Sequence, residues 1–258
     1  MQGVIDETEI DCRVARLTAS IAAFADPFAP NNPASSLIGP PPGAEQSLQT
    51  IADSLFGPGH VNVDTGQSSA GLWSSTTPNF ATSVPTLVAE FTDNAATQTF
   101  GIWFGTDTNN IVSYDILLGG AVAHNFVSIG INNGSLDISS GVGCGSQYNC
   151  GTFNNALINP NSFGFFFKPS ASATKYYSLD QLNSADPRAD RFVAFQDGTT
   201  TNWMFAYEDG TDFDYNDMAV KVESIAVAIP EPETYALMLA GLGAMGFVAR
   251  RRKSRGER

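Results

Sequence analysis

The chain has 258 residues, with 13 lysine and arginine residues against 26 aspartate and glutamate residues and a formal net charge of −13. Six of the basic residues follow residue 249, which leaves seven bases and 23 acids in residues 1–229 and a formal charge of −16 there. A surface this acidic repels nucleic acid and anionic lipid and attracts cations, so a nucleic-acid-binding function is excluded. The aromatic content of 11% indicates a packed core rather than disorder.

Residues 1–43 predict a leader and a linker without packed structure. The best leader candidate is residues 13–29, a weakly apolar stretch that Asp26 interrupts. Residues 26–43 contain six prolines and predict an extended linker.

Residues 44–228 predict one folded domain that begins with a short helix. Ser47 is a candidate N-cap, and Gly57-Pro58 is a typical helix end. The apolar residues that repeat at helical spacing between them are Leu48, Ile51, Ala52 and Leu55.

The rest of this domain predicts short β-strands. Clusters of Gly, Asn, Asp and Thr separate segments that favour β-branched and aromatic residues, several of them with alternating character. No long helix is predicted between them, so we expect an all-β fold, an antiparallel β-sandwich of jelly-roll type. The nine segments are residues 86–91, 97–105, 111–119, 125–131, 162–168, 174–179, 191–196, 201–208 and 217–227.

The sequence offers few groups for catalysis. His60 and His124 are the two histidines, and each has the neighbours of a turn or sheet-edge residue. No G-x-S-x-G elbow, H-E-x-x-H motif or phosphate-binding loop is present. We therefore expect a protein that is not an enzyme. Trp73, Trp103 and Trp203 could stack on sugar rings, but at strand positions the core of a sandwich is the favoured place for each of them.

Cys144 and Cys150 flank a short glycine-rich loop. In an oxidising compartment a disulfide between them would fix this loop and contribute about 2 kcal/mol. Free thiols and a metal pair are the alternatives, but the spacing is unusual for zinc and no histidine lies nearby. Cys12 has no evident partner.

Five carboxylates and one carboxamide are concentrated between residues 208 and 217. Charges this dense repel each other, and Ca²⁺, which takes six to eight oxygen ligands, is a natural counterion. We therefore predict a calcium loop. Its candidate ligands are Glu208, Asp209, Asp212, Asp214, Asn216 and Asp217.

This calcium loop is not an EF-hand. Asp212, Asp214 and Asn216 have EF-hand spacing, but Asp217 stands where that loop needs glycine, and a strand pattern follows. Two alternatives to calcium remain open. Asp and Asn side chains often only cap turns, and the carboxylates could be catalytic, as in a glycan hydrolase.

The acidic segment also resembles a known type of domain. Its Glu208-Asp209 pair and its Asp212-x-Asp214-Tyr215-Asn216-Asp217 element follow "FGFFF" at 163–167 and "YYSLDQLN" at 176–183. In this order they resemble a bacterial domain family of unknown function found in exported proteins, over about residues 85–227. The resemblance implies a β-rich extracellular domain and no established activity.

An apolar block without charges, Tyr235–Ala249, lies near the end of the chain. As a helix it would be roughly 22 Å long, slightly short for a membrane span. A buried helix is the alternative, but the block is apolar on all sides and arginines follow it, which favours a membrane segment.

Three features around this block form a recognisable order. Pro230, Glu231 and Pro232 precede it, and Arg250, Arg251, Arg252 and Lys253 follow it. Residues 229–258 thus resemble the PEP-CTERM sorting signal of exported Gram-negative bacterial proteins. That resemblance implies export, transient insertion in the inner membrane, and recognition near the PEP motif by exosortase, a cysteine transpeptidase-like membrane enzyme. Pro230, Glu231 and Pro232 would be substrate residues.

Together these features predict an exported, non-enzymatic protein of the cell surface or extracellular matrix. The resemblance associates it with exopolysaccharide and biofilm. The alternative functions are a calcium-dependent carbohydrate-binding module and a glycan hydrolase.

Overall fold

The computed structural model describes residues 43, 45–76, 82–83, 86–90, 96–119, 126–141, 143–170, 174–183, 191–210, 212–228 and 240–245. The predicted leader, Cys12, His124, the PEP motif and the basic tail lie outside the described residues.

The predicted helix is present as α1, Leu48–Phe56. The Ser47 hydroxyl accepts a hydrogen bond from the Thr50 backbone N–H at 3.3 Å, which is the expected N-cap interaction. Gly57 ends the helix with a positive φ of 97°. The capping residues and the apolar spacing are local signals, and for this reason the sequence predicts the helix well.

In the described part of the chain, fourteen strands and one 3₁₀ turn lie between α1 and residue 228. The strands are β1 (Trp73–Ser75), β2 (Thr82–Ser83), β3 (Thr86–Glu90), β4 (Thr99–Asp107), β5 (Asn110–Leu117), β6 (Val127–Asn132), β7 (Ser135–Ser140), β8 (Gly151–Asn154), β9 (Gly164–Lys168), β10 (Tyr176–Tyr177), β11 (Phe192–Gln196), β12 (Trp203–Tyr207), β13 (Met218–Val222) and β14 (Ile225–Val227), and the 3₁₀ turn is Asp180–Leu182.

These strands form three four-stranded sheets and one two-stranded ladder. The β4 sheet has the order β10-β9-β4-β5, the β12 sheet has the order β11-β12-β13-β3, and the β6 sheet has the order β2-β6-β7-β8. The ladder pairs β1 with β14. Every pairing is antiparallel, which confirms the predicted all-β class with one short helix near the N-terminus.

Aromatic side chains of the β4 and β12 sheets fill the space between these two sheets. Phe165 of β9 lies 4.8 Å from Phe205 of β12, and Phe167 lies 5.2 Å from Tyr207, measured between ring centroids. Trp73 of β1 packs 4.7 Å from Phe205, so the β1–β14 ladder belongs to the same core. Aromatic contacts of this kind contribute about 0.5–1.5 kcal/mol each beyond the area they bury.

The outer faces of both sheets are also covered. Leu48 and Ile51 of α1 pack with Phe195 and Met204 against the outer face of the β12 sheet. Leu179 beside the 3₁₀ turn packs with Trp103 and Phe166 on the outer face of the β4 sheet. β9, β11 and β12 are therefore buried on both faces and read as continuous apolar runs rather than as alternating strands.

Each of the nine predicted strand segments overlaps a strand, and the last overlaps two. β13 and β14 are separated at Ser224, which has a positive φ of 63°. β1, β2, β7 and β8 were not predicted. β7 alternates between buried and more exposed residues, but its sequence SLDISS is mostly polar and therefore gives a weak strand signal.

Cys144 and Cys150 form a disulfide, with Cα atoms 5.7 Å apart. At the C-terminus, residues 240–245 are helical and exposed; they are the described part of the predicted helix at 235–249. Within the described residues, no helix has both the length and the apolar character that a membrane crossing requires.

We expect Phe205→Ala to lower the free energy of unfolding by about 3–5 kcal/mol, because Phe205 is fully buried among Trp73, Phe165 and Phe192 and a cavity would remain. Urea denaturation followed by tryptophan fluorescence measures this loss. Phe205→Leu keeps more of the volume and should cost less, so it replaces the alanine variant if that variant does not fold.

The matched control is Phe126→Ala, which changes the same residue type at a position that is 45% exposed. Its expected cost is below about 1 kcal/mol. Equal costs at the two positions would contradict the assignment of Phe205 to the central core.

Candidate functional site

The acidic segment is the loop that joins β12 to β13. Tyr207 at the end of β12 pairs with Met218 at the start of β13, so both ends of loop 208–217 are held at one point of the sheet. The side chains of Tyr207 and Met218 are buried in the core. The loop therefore has a fixed base, and its carboxylates cannot separate by moving the strands apart.

Glu208 organises the backbone of this loop. Its side chain is fully buried, and its two carboxylate oxygens accept hydrogen bonds from backbone N–H groups. Oε1 accepts from Gly210 at 2.6 Å, and Oε2 accepts from Tyr215 at 3.3 Å. This is turn chemistry of the type that the sequence left open, carried out here by a buried carboxylate.

Asp214 is also buried, with 1% of its surface exposed. Its Oδ1 accepts a hydrogen bond from the Asn216 backbone N–H at 3.3 Å. Its Oδ2 is buried and has no hydrogen-bond partner among the described residues. A buried polar oxygen without a partner costs about 1–3 kcal/mol, and a charged one costs more. A ligand bound to this oxygen would remove that cost.

Two aromatic residues in the left-handed backbone region fix the positions of these acids. Phe213 has a φ of 57° and Tyr215 a φ of 55°, which is uncommon for bulky residues. Both pack in the apolar cluster beneath α1. They alternate in sequence with Asp212 and Asp214, and the loop turns so that Glu208, Asp212 and Asp214 each place one carboxylate oxygen within 4.8 Å of the other two.

The remaining predicted ligands do not join this group of three. The Asp209 backbone N–H donates to Asp217 Oδ2 at 2.6 Å, and Gln98 Nε2 donates to Asp209 Oδ2 at 3.2 Å. Asn216 Nδ2 donates to the Gln46 carbonyl at 3.0 Å and so ties the loop to the segment before α1.

Arg191 supplies positive charge near the loop. Its Nη1 lies 3.9 Å from Glu208 Oε1 and donates a hydrogen bond to the Gly210 carbonyl. The guanidinium also lies 5.4 Å from the centroid of the Tyr176 ring. The sequence did not predict this residue, because its proximity depends on the pairing of β11 with β12.

Burial raises the pKa of three carboxyl groups in the loop. The pKa of Glu208 rises to about 7, that of Asp214 to about 6 and that of Asp217 to about 8. Loss of hydration is the largest cause in each case, and neighbouring carboxylates add to it. Negative charge on these carboxylates is therefore unfavourable, and binding of a proton or a cation relieves it.

The other candidate residues lie elsewhere. His60 is exposed and its Nδ1 lies 3.0 Å from Asp197 Oδ1, which follows the end of β11 opposite to the end that pairs with Tyr207. The three tryptophans Trp73, Trp103 and Trp203 are at most 1% exposed and belong to the core.

We expect the metal-free protein to become less stable as the pH rises from about 5 to about 8.5. The folded state keeps protons on Glu208, Asp214 and Asp217 that the unfolded chain releases near its ordinary carboxyl pKa, so stability is highest at the acidic end and falls through the raised pKa values. One pKa unit corresponds to about 1.4 kcal/mol, and we expect the total loss to exceed that value.

Urea titrations in EDTA at several pH values measure this slope. Asp214→Asn removes one titrating group and should flatten the slope, whereas Asp107→Asn changes a partly buried carboxylate at the end of β4, outside the loop, and should leave the slope unchanged. A stability that rises over this pH range in the wild-type protein would contradict the raised pKa values.

Comparison with known protein families finds a match near the C-terminal end of the chain. Residues 228–253 match the family described as the PEP-CTERM protein-sorting motif. No curated protein and no solved structure matches the chain. The resemblance of residues 85–227 to an exported β-domain family stays a prediction. The chain therefore carries a PEP-CTERM sorting signal, which marks it as an exported protein that is anchored in a membrane and then processed by exosortase.

Proposed function

We propose that this protein is a non-enzymatic component of the cell surface or extracellular matrix of a Gram-negative bacterium, delivered there by exosortase. The observation that carries the proposal is the position of the sorting signal. β14 ends at Val227, and the PEP-CTERM motif begins at residue 228. The last strand of the folded domain and the sorting signal are thus adjacent in sequence, and no strand belongs to both.

The last strand is firmly part of the folded domain. Val227 pairs with Trp73, and the Ala228 backbone N–H donates to the Leu72 carbonyl at 3.1 Å. Cleavage within or after Pro230–Pro232 would leave these interactions intact. Processing would therefore release a complete β-domain, which is what delivery of a surface protein requires.

In this proposal, each of the three parts of the sorting signal has its own role. Pro230, Glu231 and Pro232 are the residues that exosortase reads, the block at 235–249 holds the precursor in the inner membrane, and the basic run Arg250–Lys253 stops transfer on the cytoplasmic side. The chemistry of cleavage belongs to exosortase. Association with exopolysaccharide is the destination that the PEP-CTERM resemblance implies.

A calcium-dependent carbohydrate-binding module has less support. Such a module would combine the carboxylates with stacking of sugar rings on Trp73, Trp103 and Trp203. All three indoles are buried between or behind the sheets, so none offers a face to a sugar in this conformation.

A glycan hydrolase has the least support. Its two carboxylates must touch the substrate on either side of the scissile bond. The pKa of Glu208 is raised to about 7, as a general acid would need, but its side chain is fully buried. Asp214 is 1% exposed. The burial of these two carboxylates therefore tells against a glycan hydrolase that uses this loop.

Expression of the full chain in a host with exosortase and in the same host without it tests the proposed route. We expect a mature protein that has lost the tail and reaches the extracellular or surface fraction in the first strain. In the second strain the full-length chain should stay with the inner membrane. Intact-mass spectrometry and fractionation provide the two readouts.

The triple variant Pro230→Ala, Glu231→Ala and Pro232→Ala should behave in the first strain as the wild-type chain behaves in the second. Ser254→Ala, which lies beyond the matched residues 228–253, is the control and should be processed normally. Equal tail mass and equal location of the wild-type chain in both strains would overturn the proposed route.

A further inference from the structure

We propose that Glu208, Asp212 and Asp214 bind one calcium ion, and that this ion stabilises loop 208–217. The proposal rests on the geometry of the loop and is independent of the route by which the protein is delivered.

The first support is the size of the oxygen group. Each of the three side chains places one carboxylate oxygen within 4.8 Å of the other two. Oxygens bound to one Ca²⁺ lie about 2.3–2.6 Å from the ion, so two of them are separated by at most about 5.2 Å. The separations between the three oxygens therefore match those of ligands that share one calcium ion.

The second support is the unsatisfied oxygen of Asp214. This residue contributes to the three-oxygen group, its side chain is buried, and its Oδ2 has no hydrogen-bond partner among the described residues. Turn capping explains the contact of Oδ1 with the Asn216 N–H, but it leaves Oδ2 unexplained. A bound cation accounts for both the burial and the missing donor.

The third support is the shape of the loop above these oxygens. A Cβ atom at Gly210 would lie 3.0 Å from Glu208 Oε1 and 3.2 Å from Asp212 Oδ1. Both carboxylates thus converge on the space beside a residue without a side chain. The Gly210 carbonyl is held by Arg191, so this part of the backbone has a fixed position.

The charge of the group selects the class of ligand. The donors are all oxygens, without a histidine or cysteine, which favours a hard cation. Arg191 approaches Glu208 at 3.9 Å and balances only part of the negative charge of three carboxylates. Calcium supplies two positive charges and completes its six to eight ligands with water and backbone carbonyls, whereas Mg²⁺ demands shorter bonds and near-ideal octahedral geometry.

The other acidic residues support the site from outside. Asp217 accepts from the Asp209 N–H, and Asn216 fixes the loop to Gln46. Six ligands were predicted from the sequence, and the structure reduces the set of carboxylates in direct reach of one ion to three.

Isothermal titration and thermal denaturation of the purified full-length chain test the proposal. After removal of metal with EDTA, we expect CaCl₂ to bind with a Kd of about 10⁻⁵ to 10⁻³ M, the weaker part of the range for protein calcium sites. At about 10 mM CaCl₂ the Tm should rise by several degrees, because the ion binds only the folded state. MgCl₂ should bind at least about tenfold more weakly.

Asp214→Asn and Glu208→Gln keep the side-chain shape and should each weaken calcium binding at least about tenfold. Asp107→Asn is the matched control, because Asp107 also caps a turn, through the Asn109 N–H at 2.8 Å, but lies outside the three-oxygen group. It should bind calcium like the wild-type protein. Gly210→Ala tests the space beside the ion and should also weaken binding.

The Tm of the variants in EDTA shows whether weaker calcium binding results from the loss of a ligand or from unfolding of the protein. Asp214→Asn removes a buried charge, so its Tm in EDTA should equal or exceed that of the wild-type protein while its response to CaCl₂ disappears. Absence of calcium binding by the wild-type chain, wild-type affinity in Asp214→Asn, or equal affinity for Mg²⁺ would each overturn the proposal.

Discussion

The pairing of Tyr207 with Met218 is the constraint on which the acidic loop depends. Both residues are buried between sheets, and β12 is covered on both faces, so the base of the loop cannot widen. The loop must therefore place its carboxylates close together, and Phe213 and Tyr215 turn three of them toward one point by packing beneath α1. Core packing thus holds carboxylates of the loop close together, so that they repel each other. Binding of a proton or a cation relieves this repulsion.

The two functional features of the chain are linked through two consecutive strands. β13, which leaves the acidic loop, continues into β14, and β14 ends directly before the sorting signal. A cation that orders loop 208–217 would therefore act on the segment that holds the C-terminal end of the domain against β1. The stability of the folded domain depends on β14, and the processing site lies in the residues that directly follow this strand.

Local sequence signals predicted much of the fold. The cap, spacing and stop of α1 lie within a few residues of each other, and the nine apolar segments all contain strands. β7 was missed because its apolar residues Leu136 and Ile138 are separated by polar ones, although Asn133-Gly134 before it is a typical hairpin turn. In the site, the sequence identified the acids but not their grouping. That grouping depends on the backbone of Phe213 and Tyr215 and on Arg191, and neither follows from local spacing.

The order of the strands governs when this protein can fold. β1 pairs with β14, β3 pairs with β13, and Asn216 contacts Gln46, so the earliest and latest parts of the domain must meet. A chain that emerges with its N-terminal end first keeps its phenylalanine-rich strands uncovered until about Val227 has appeared, which makes folding slow and exposes the chain to aggregation. The sorting signal follows Val227. A chain truncated before that residue lacks both part of the closing strand and the sorting signal, so one truncation removes the pairing that completes the domain and the motif that follows it.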